Sequence, residues 1–202
     1  MADIVYPIGD SLYLNITNRC TNQCPFCIRY KSRKFNQKYS LWLDREPEAD
    51  ELLKAIGDPK QYKQVVFCGY GEPLIRLELV KEVSAKLKSK FGANIRIDTN
   101  GTANLFWGRN ILPGLKGLVD SLSISLDADN EEAYEKACHP IFGGKSYSAV
   151  LDFIKEAKKY IPEVEASVVD LPTVDLARSK KIAQELGVKF RVRPYYEDQY
   201  LR

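Results

Sequence analysis

Apolar and polar positions alternate in short bursts along most of this chain. Runs rich in apolar and β-branched residues recur at 12–16, 65–67, 95–98, 122–125, 165–169 and 190–192, mostly ended by Asn, Gly, Asp or Pro, and each reads as a strand. Between them the apolar spacing lengthens to three or four. Val80, Val83 and Leu87 fall on one helical face and Val150, Ile154, Ala157 and Ile161 on another, while Ala183 and Leu186 precede Gly187, a residue suited to ending a helix. Six strands alternating with helices, over connections too long for hairpins, predict parallel strands joined by right-handed crossovers. The expected class is α/β, an open sheet or an incomplete barrel, and ligands of such folds bind beyond the carboxyl ends of the strands.

That rule places four motifs on one rim. CTNQCPFC follows the first strand, CGYGEP the second, DTNG ends the third and SLD ends the fourth. No repeat, low-complexity run or shift in composition marks a boundary, so a single domain over residues 1–202 is expected. No apolar run is long enough to cross a bilayer, and the opening MADIVYPIGD carries acid where a secretion signal needs base. The expectation is a cytoplasmic protein without a membrane partner. Five cysteines, an odd number with three of them clustered, argue against a disulfide framework and for metal or redox chemistry. The net charge of +3 gives no global signal for a polyanion, but Arg29, Lys31, Arg33, Lys34 and Lys38 fall in one segment without an acid. That segment reads either as a solvated loop or as a cover for an anionic substrate, a phosphorylated metabolite or an RNA.

Cys20, Cys24 and Cys27, spaced C-x3-C-x2-C, suit an iron–sulfur cluster or a zinc ion. Zinc would need a fourth ligand from Cys68, Cys138 or His139, each distant in sequence, which makes the chain a non-catalytic nucleic-acid or protein interaction module. A four-iron cluster on three thiolates keeps one iron open, as catalysis requires. Too few cysteines remain for a second cluster. Cys68, ending a strand, reads as a small hydrophobe. Cys138 and His139 are the candidates for a catalytic thiol or imidazole, against a structural role. Arg191, Arg193, Tyr195 and Tyr196, at or after the last strand, could close a pocket, and Trp42 and Trp107 read as packing anchors.

The cysteine spacing, with the aromatic Phe26 just before Cys27, resembles the radical S-adenosylmethionine (radical SAM) superfamily. The resemblance implies a [4Fe-4S] cluster whose open iron is chelated by S-adenosylmethionine. One electron, from a low-potential donor such as flavodoxin or ferredoxin, then cleaves the sulfonium to a 5′-deoxyadenosyl radical that abstracts hydrogen. CGYGEP looks like that family's G-G-E-P, with Tyr70 in place of the first glycine. By the resemblance, Gly71 and Glu72 receive the methionyl ammonium, Ser125 and Asp127 the ribose, and Asn100 lies on the same rim. The implied fold is a partial (βα)6 barrel of six mostly parallel strands spanning nearly the whole chain. LYLNITNRCTNQCPFCIR, SLWLDREP, DTNG and RVRPY are similar to the short members associated with TatD-type nucleases. Ile28 and Arg29 stand where members that contract a pterin ring keep a Ser or Thr for magnesium.

Overall fold

The computed structural model of the protein describes residues 2–32 and 34–195. In chain order the elements are β1 (Val5–Ile8), β2 (Ser11–Leu14), α1 (Ile28–Lys31), β3 (Lys34–Phe35), β4 (Tyr39–Ser40), α2 (Ala49–Ile56), β5 (Gln64–Phe67), α3 (Leu77–Phe91), β6 (Ile95–Thr99), α4 (Ala103–Trp107), β7 (Ser121–Ser125), α5 (Glu131–Cys138), α6 (Lys145–Ala157), β8 (Glu163–Val169), α7 (Leu176–Glu185) and β9 (Lys189–Arg193). β1, β2 and β5 to β9 form one sheet in sequence order. Every neighbour from β2 to β9 is parallel. The expected six parallel strands and their α/β class are present, in the order of a partial (βα)6 barrel.

Two features differ from the sequence reading. β1 pairs antiparallel with β2 through the tight turn after Ile8, where Gly9 takes φ +57°, and its Pro7 had masked the strand pattern. Residues 28–31 form α1 and residues 34–40 the hairpin β3–β4, whose three-residue loop places Asn36 and Gln37 at positive φ, 50° and 56°, with Lys38 N donating to the Phe35 carbonyl at 3.1 Å.

The alternation of side chains divides the large sheet into two unlike faces. One carries Leu12, Leu14, Val65, Phe67, Ile95, Ile97, Leu122, Ile124, Val164, Ala166 and Val168, all buried. α6 and α7 pack against its strands and α3 against α2, with Val80, Val83, Leu87, Val150, Ile154 and Ala157 fully enclosed. Gly92, at φ +64°, ends α3, and Asn130 and Asp175 cap α5 and α7 through Ala133 N and Arg178 N. The other face carries Tyr13, Arg96, Asp98, Ser123, Ser125, Glu165, Ser167 and Arg191 in register. Parallel sheets usually bury apolar residues on both faces; a polar second face is the wall of a site. No described helix is long and apolar enough to cross a membrane.

Candidate functional site

The chain leaves β2 through Asn15–Arg19 and enters the cysteine loop, which later segments hold in place. Thr21 Oγ1 is hydrogen-bonded to Thr102 Oγ1 at 2.7 Å and accepts from Asn100 Nδ2 at 2.7 Å. Asn22 Nδ2 donates to the Tyr134 hydroxyl at 3.0 Å, and Gln23 N donates to the Cys138 carbonyl at 2.9 Å. Cys20, Cys24 and Cys27 are all half-buried. Burial, with Glu72 second, pushes the Cys20 thiol up to about 12, and burial also raises Cys27. Asn22 N and Asn100 Nδ2 point at Cys20 Sγ from 3.4 and 3.6 Å. Among the described residues no three His, Cys, Asp or Glu side chains gather closely enough to hold one metal ion; the three thiols line their loop without converging on a point.

The loop after β5 lies directly beneath. A Cβ on Gly71 would sit 2.4 Å from the Arg19 carbonyl and 2.5 Å from that of Thr17, and Glu72 N donates to the same Arg19 carbonyl at 2.8 Å. Only glycine permits this approach. The Glu72 carboxylate turns inward: Oε1 accepts from Thr99 Oγ1 (2.8 Å) and Leu74 N (3.0 Å), Oε2 from Asn100 N (2.7 Å). Burial pushes it up to about 7 against these three donors. Glu72 therefore ties the GYGEP and DTNG loops together. Tyr70, buried, sends its hydroxyl to the Ser32 carbonyl at 2.5 Å, and packs with Tyr6, Leu41, Ile28, Phe35 and Tyr39, joining the hairpin to this loop.

At the next strand end, Ser125 Oγ and Asp127 Oδ1 both accept from Arg193 Nη2, at 2.9 and 2.8 Å, and Val169 N also donates to Asp127. Asp127 adopts φ +48°, a strained backbone for a non-glycine residue. Arg29, in α1, folds back over the cysteine loop, its Nη1 donating to the Asn18 carbonyl and its Nη2 to that of Asn22, each at 3.1 Å. Its Nε is buried and has no partner among the described residues.

These contacts bring three motif loops and the end of β7 to one rim, around a spacing of cysteines that one family uses. The sequence model of that family, the Radical SAM superfamily, matches residues 14–186. The chain belongs to the radical SAM superfamily of enzymes. Its members typically use a [4Fe-4S] cluster and S-adenosylmethionine, and need a reductant. The chain is 26% identical over 200 residues to a probable GTP 3′,8-cyclase of Methanocaldococcus jannaschii, covering 92% of this chain and 62% of that protein. It is 32% identical over 99 residues to a tungsten-containing aldehyde ferredoxin oxidoreductase cofactor-modifying protein of Pyrococcus furiosus, covering 45% of this chain and 24% of that one. The chain thus spans less than two thirds of either relative. The fold resembles SuiB of Streptococcus suis with a TM-score of 0.64 at 13% identity, over 89% of this chain and 38% of SuiB.

Within this radical SAM fold the remaining candidates take varied places. Phe26 packs against the main core. Cys138 is fully buried at the end of α5, its carbonyl accepting from Gln23 N and from Cys24 Sγ (3.6 Å). A hydrogen bond to Cys24, then burial, hold its thiol protonated. His139, at φ +43°, ends α5 with its ring exposed. This CHP segment is thus a buttress of the cysteine loop. Cys68 lies on the polar face; burial, then Asp98, raises its thiol, a setting unlike the apolar one expected. Trp107 Nε1 donates to the Leu74 carbonyl and Trp42 lies 6.5 Å from the Tyr70 ring. Arg191 pairs with Glu165 at 2.6 Å; Arg33 and Tyr196 lie outside the described residues. The Arg96–Asp98 pair (2.8 Å) escaped the sequence reading, although the alternation in IRID signals it.

Proposed function

We propose that this protein cleaves S-adenosylmethionine reductively at a [4Fe-4S] cluster held by Cys20, Cys24 and Cys27. The observation that carries this reading is the interlock of the cysteine loop with the glycine loop at Gly71, where a Cβ would meet two carbonyls of the segment leading into Cys20. The donor set fits a cluster: three thiols along one loop, with the buried Arg29 Nε–H lacking an acceptor among the described residues. Bound together, the two cofactors would supply a 5′-deoxyadenosyl radical for hydrogen abstraction.

The chain's own residues prepare the place. Phe26 and Asn100 fix the cysteine loop, from the core and from the DTNG loop. The Gly71 backbone lines the methionyl position, while Glu72, with each oxygen already accepting, holds that loop rather than reaching outward. Ser125 and Asp127, held by Arg193, would receive the ribose hydroxyls. The substrate is anionic, a phosphorylated metabolite or an RNA, in keeping with the exposed Lys31, Lys34 and Lys38 and with a relative named for GTP. A flavodoxin or ferredoxin supplies the electron, and residues 1–202 form one core domain. The likeness to the short TatD-associated members rests on the sequence motifs.

A zinc-binding module is the rival, favoured only by the Cys138 thiol lying against Cys24. Anaerobic purification separates the two. A brown protein with about four irons and matching sulfide, releasing methionine and 5′-deoxyadenosine with dithionite, supports the cluster. Any of C20A, C24A or C27A should lose both iron and cleavage. A colourless protein with one zinc, or full cleavage in all three variants, would overturn the reading.

A further inference from the structure

We propose that Arg29 sets the reduction potential of the cluster, acting through its charge and one N–H rather than as a ligand. The proposal rests on the cluster reading above. Asn18 and Asn22, whose carbonyls accept from Arg29 Nη1 and Nη2, stand two residues before and two residues after Cys20. The guanidinium therefore spans the first cysteine, while its own helix begins directly after the third.

Its other contacts are with Tyr30, whose hydroxyl accepts from Nη2 at 2.5 Å and whose ring centroid lies 4.6 Å from the guanidinium carbon, and within the described residues its bonds end on carbonyls and a hydroxyl, none on a carboxylate. A half-buried guanidinium without an anionic partner is costly, and so is a buried N–H without an acceptor. Both deficits sit at the cysteine loop, between the carbonyls that flank Cys20 and directly after Cys27. Anionic sulfur at this loop would meet both.

The direction of the effect follows from electrostatics. A cluster held by three thiolates carries net negative charge, and reduction adds one more. A neighbouring cation and a donated N–H stabilise the reduced form more, so they raise the potential. The acids whose charges act on these thiols, Glu72 on Cys20 and Asp127 on Cys27, work in the opposite sense. Arg29 is the cation that acts on both Cys20 and Cys27, so the ease of the first electron transfer depends on this side chain.

The test compares wild type, R29K, R29Q and R29A after anaerobic reconstitution, with iron counted and the cluster titrated against solution potential by electron paramagnetic resonance, without S-adenosylmethionine. R29Q and R29A should hold about tenfold less reduced cluster at a given potential, a shift of about 59 mV for one electron. R29K, which keeps the charge but not the fork, should stay within about threefold of wild type. Equal potentials in all the variants would reduce Arg29 to a clasp on the loop and overturn the proposal. Should R29A fail to load, R29Q against R29K decides, since they separate charge from shape. A wild type that binds no iron would sink the cluster reading as well, whereas a loaded wild type with flat potentials sinks this inference alone.

Discussion

Tyr70 stands at the first glycine of the G-G-E-P motif that CGYGEP resembles, and its surroundings give the side chain a purpose. The ring fills a cluster of aromatic residues and the hydroxyl reaches the Ser32 carbonyl. Y70F should cost about 0.5–1.5 kcal/mol, the usual net contribution of one hydrogen bond, and should speed tryptic cutting at Lys31 and Lys34 in the cluster-free protein. Unaltered cutting would mean the hairpin holds without the latch. Glu72 offers a pH test. Its folded value of about 7 lies above the ordinary carboxyl value near 4.3, so the folded protein binds this proton more tightly than the unfolded chain. The stability it confers is full below about pH 4 and lost as pH rises through 7. Urea midpoints of the cluster-free protein should therefore fall from pH 5 to pH 8, and E72Q should flatten that fall; parallel slopes would contradict it.

The loops between elements carry the site, and their legibility was uneven. The strand ends could be read because β-branched runs stop at Asn, Gly and Asp, so the four motifs were correctly placed on one rim. The interlock between loops could not, because it depends on backbone approach: nothing in GYGEP says that Gly71 faces the carbonyls of Thr17 and Arg19. G71A must push apart two backbones with no flexible side chain to yield. It should destabilise the protein by roughly 1–3 kcal/mol, seen as a lower melting temperature, with S-adenosylmethionine affinity reduced. A neutral G71A would show that the loops are free to separate. The hairpin β3–β4 escaped the reading for another reason. Its strands are two residues each, too short for a period to appear, and its fold is set by contacts with Tyr6 and Tyr70 from elsewhere in the chain.

Across the molecule, one face of the sheet is core and the other is wall, and mutations should divide accordingly. Ile97, fully buried against the helices, should cost about 2–5 kcal/mol as Ala. Ser123, on the polar face between Glu165 and Arg191, should cost no more than about 1.5 kcal/mol as Ala. Thermal unfolding of both variants checks this, and similar losses would mean that the polar face is packed as a core. The apolar face was readable because period-two burial leaves a mark in sequence. The charge pairs across strands were not, since Arg193 meets Asp127 from 66 positions away. The same long reach governs the cysteine loop, whose Thr21 and Asn22 are held by Thr102 and Tyr134, 81 and 112 positions later. A ribosome adding about 5–20 residues each second needs roughly 6 to 22 s to cover the longer of these gaps. During that interval the three thiols lack the segments that shape their loop, so the loop reaches its folded geometry only after α5 has been made.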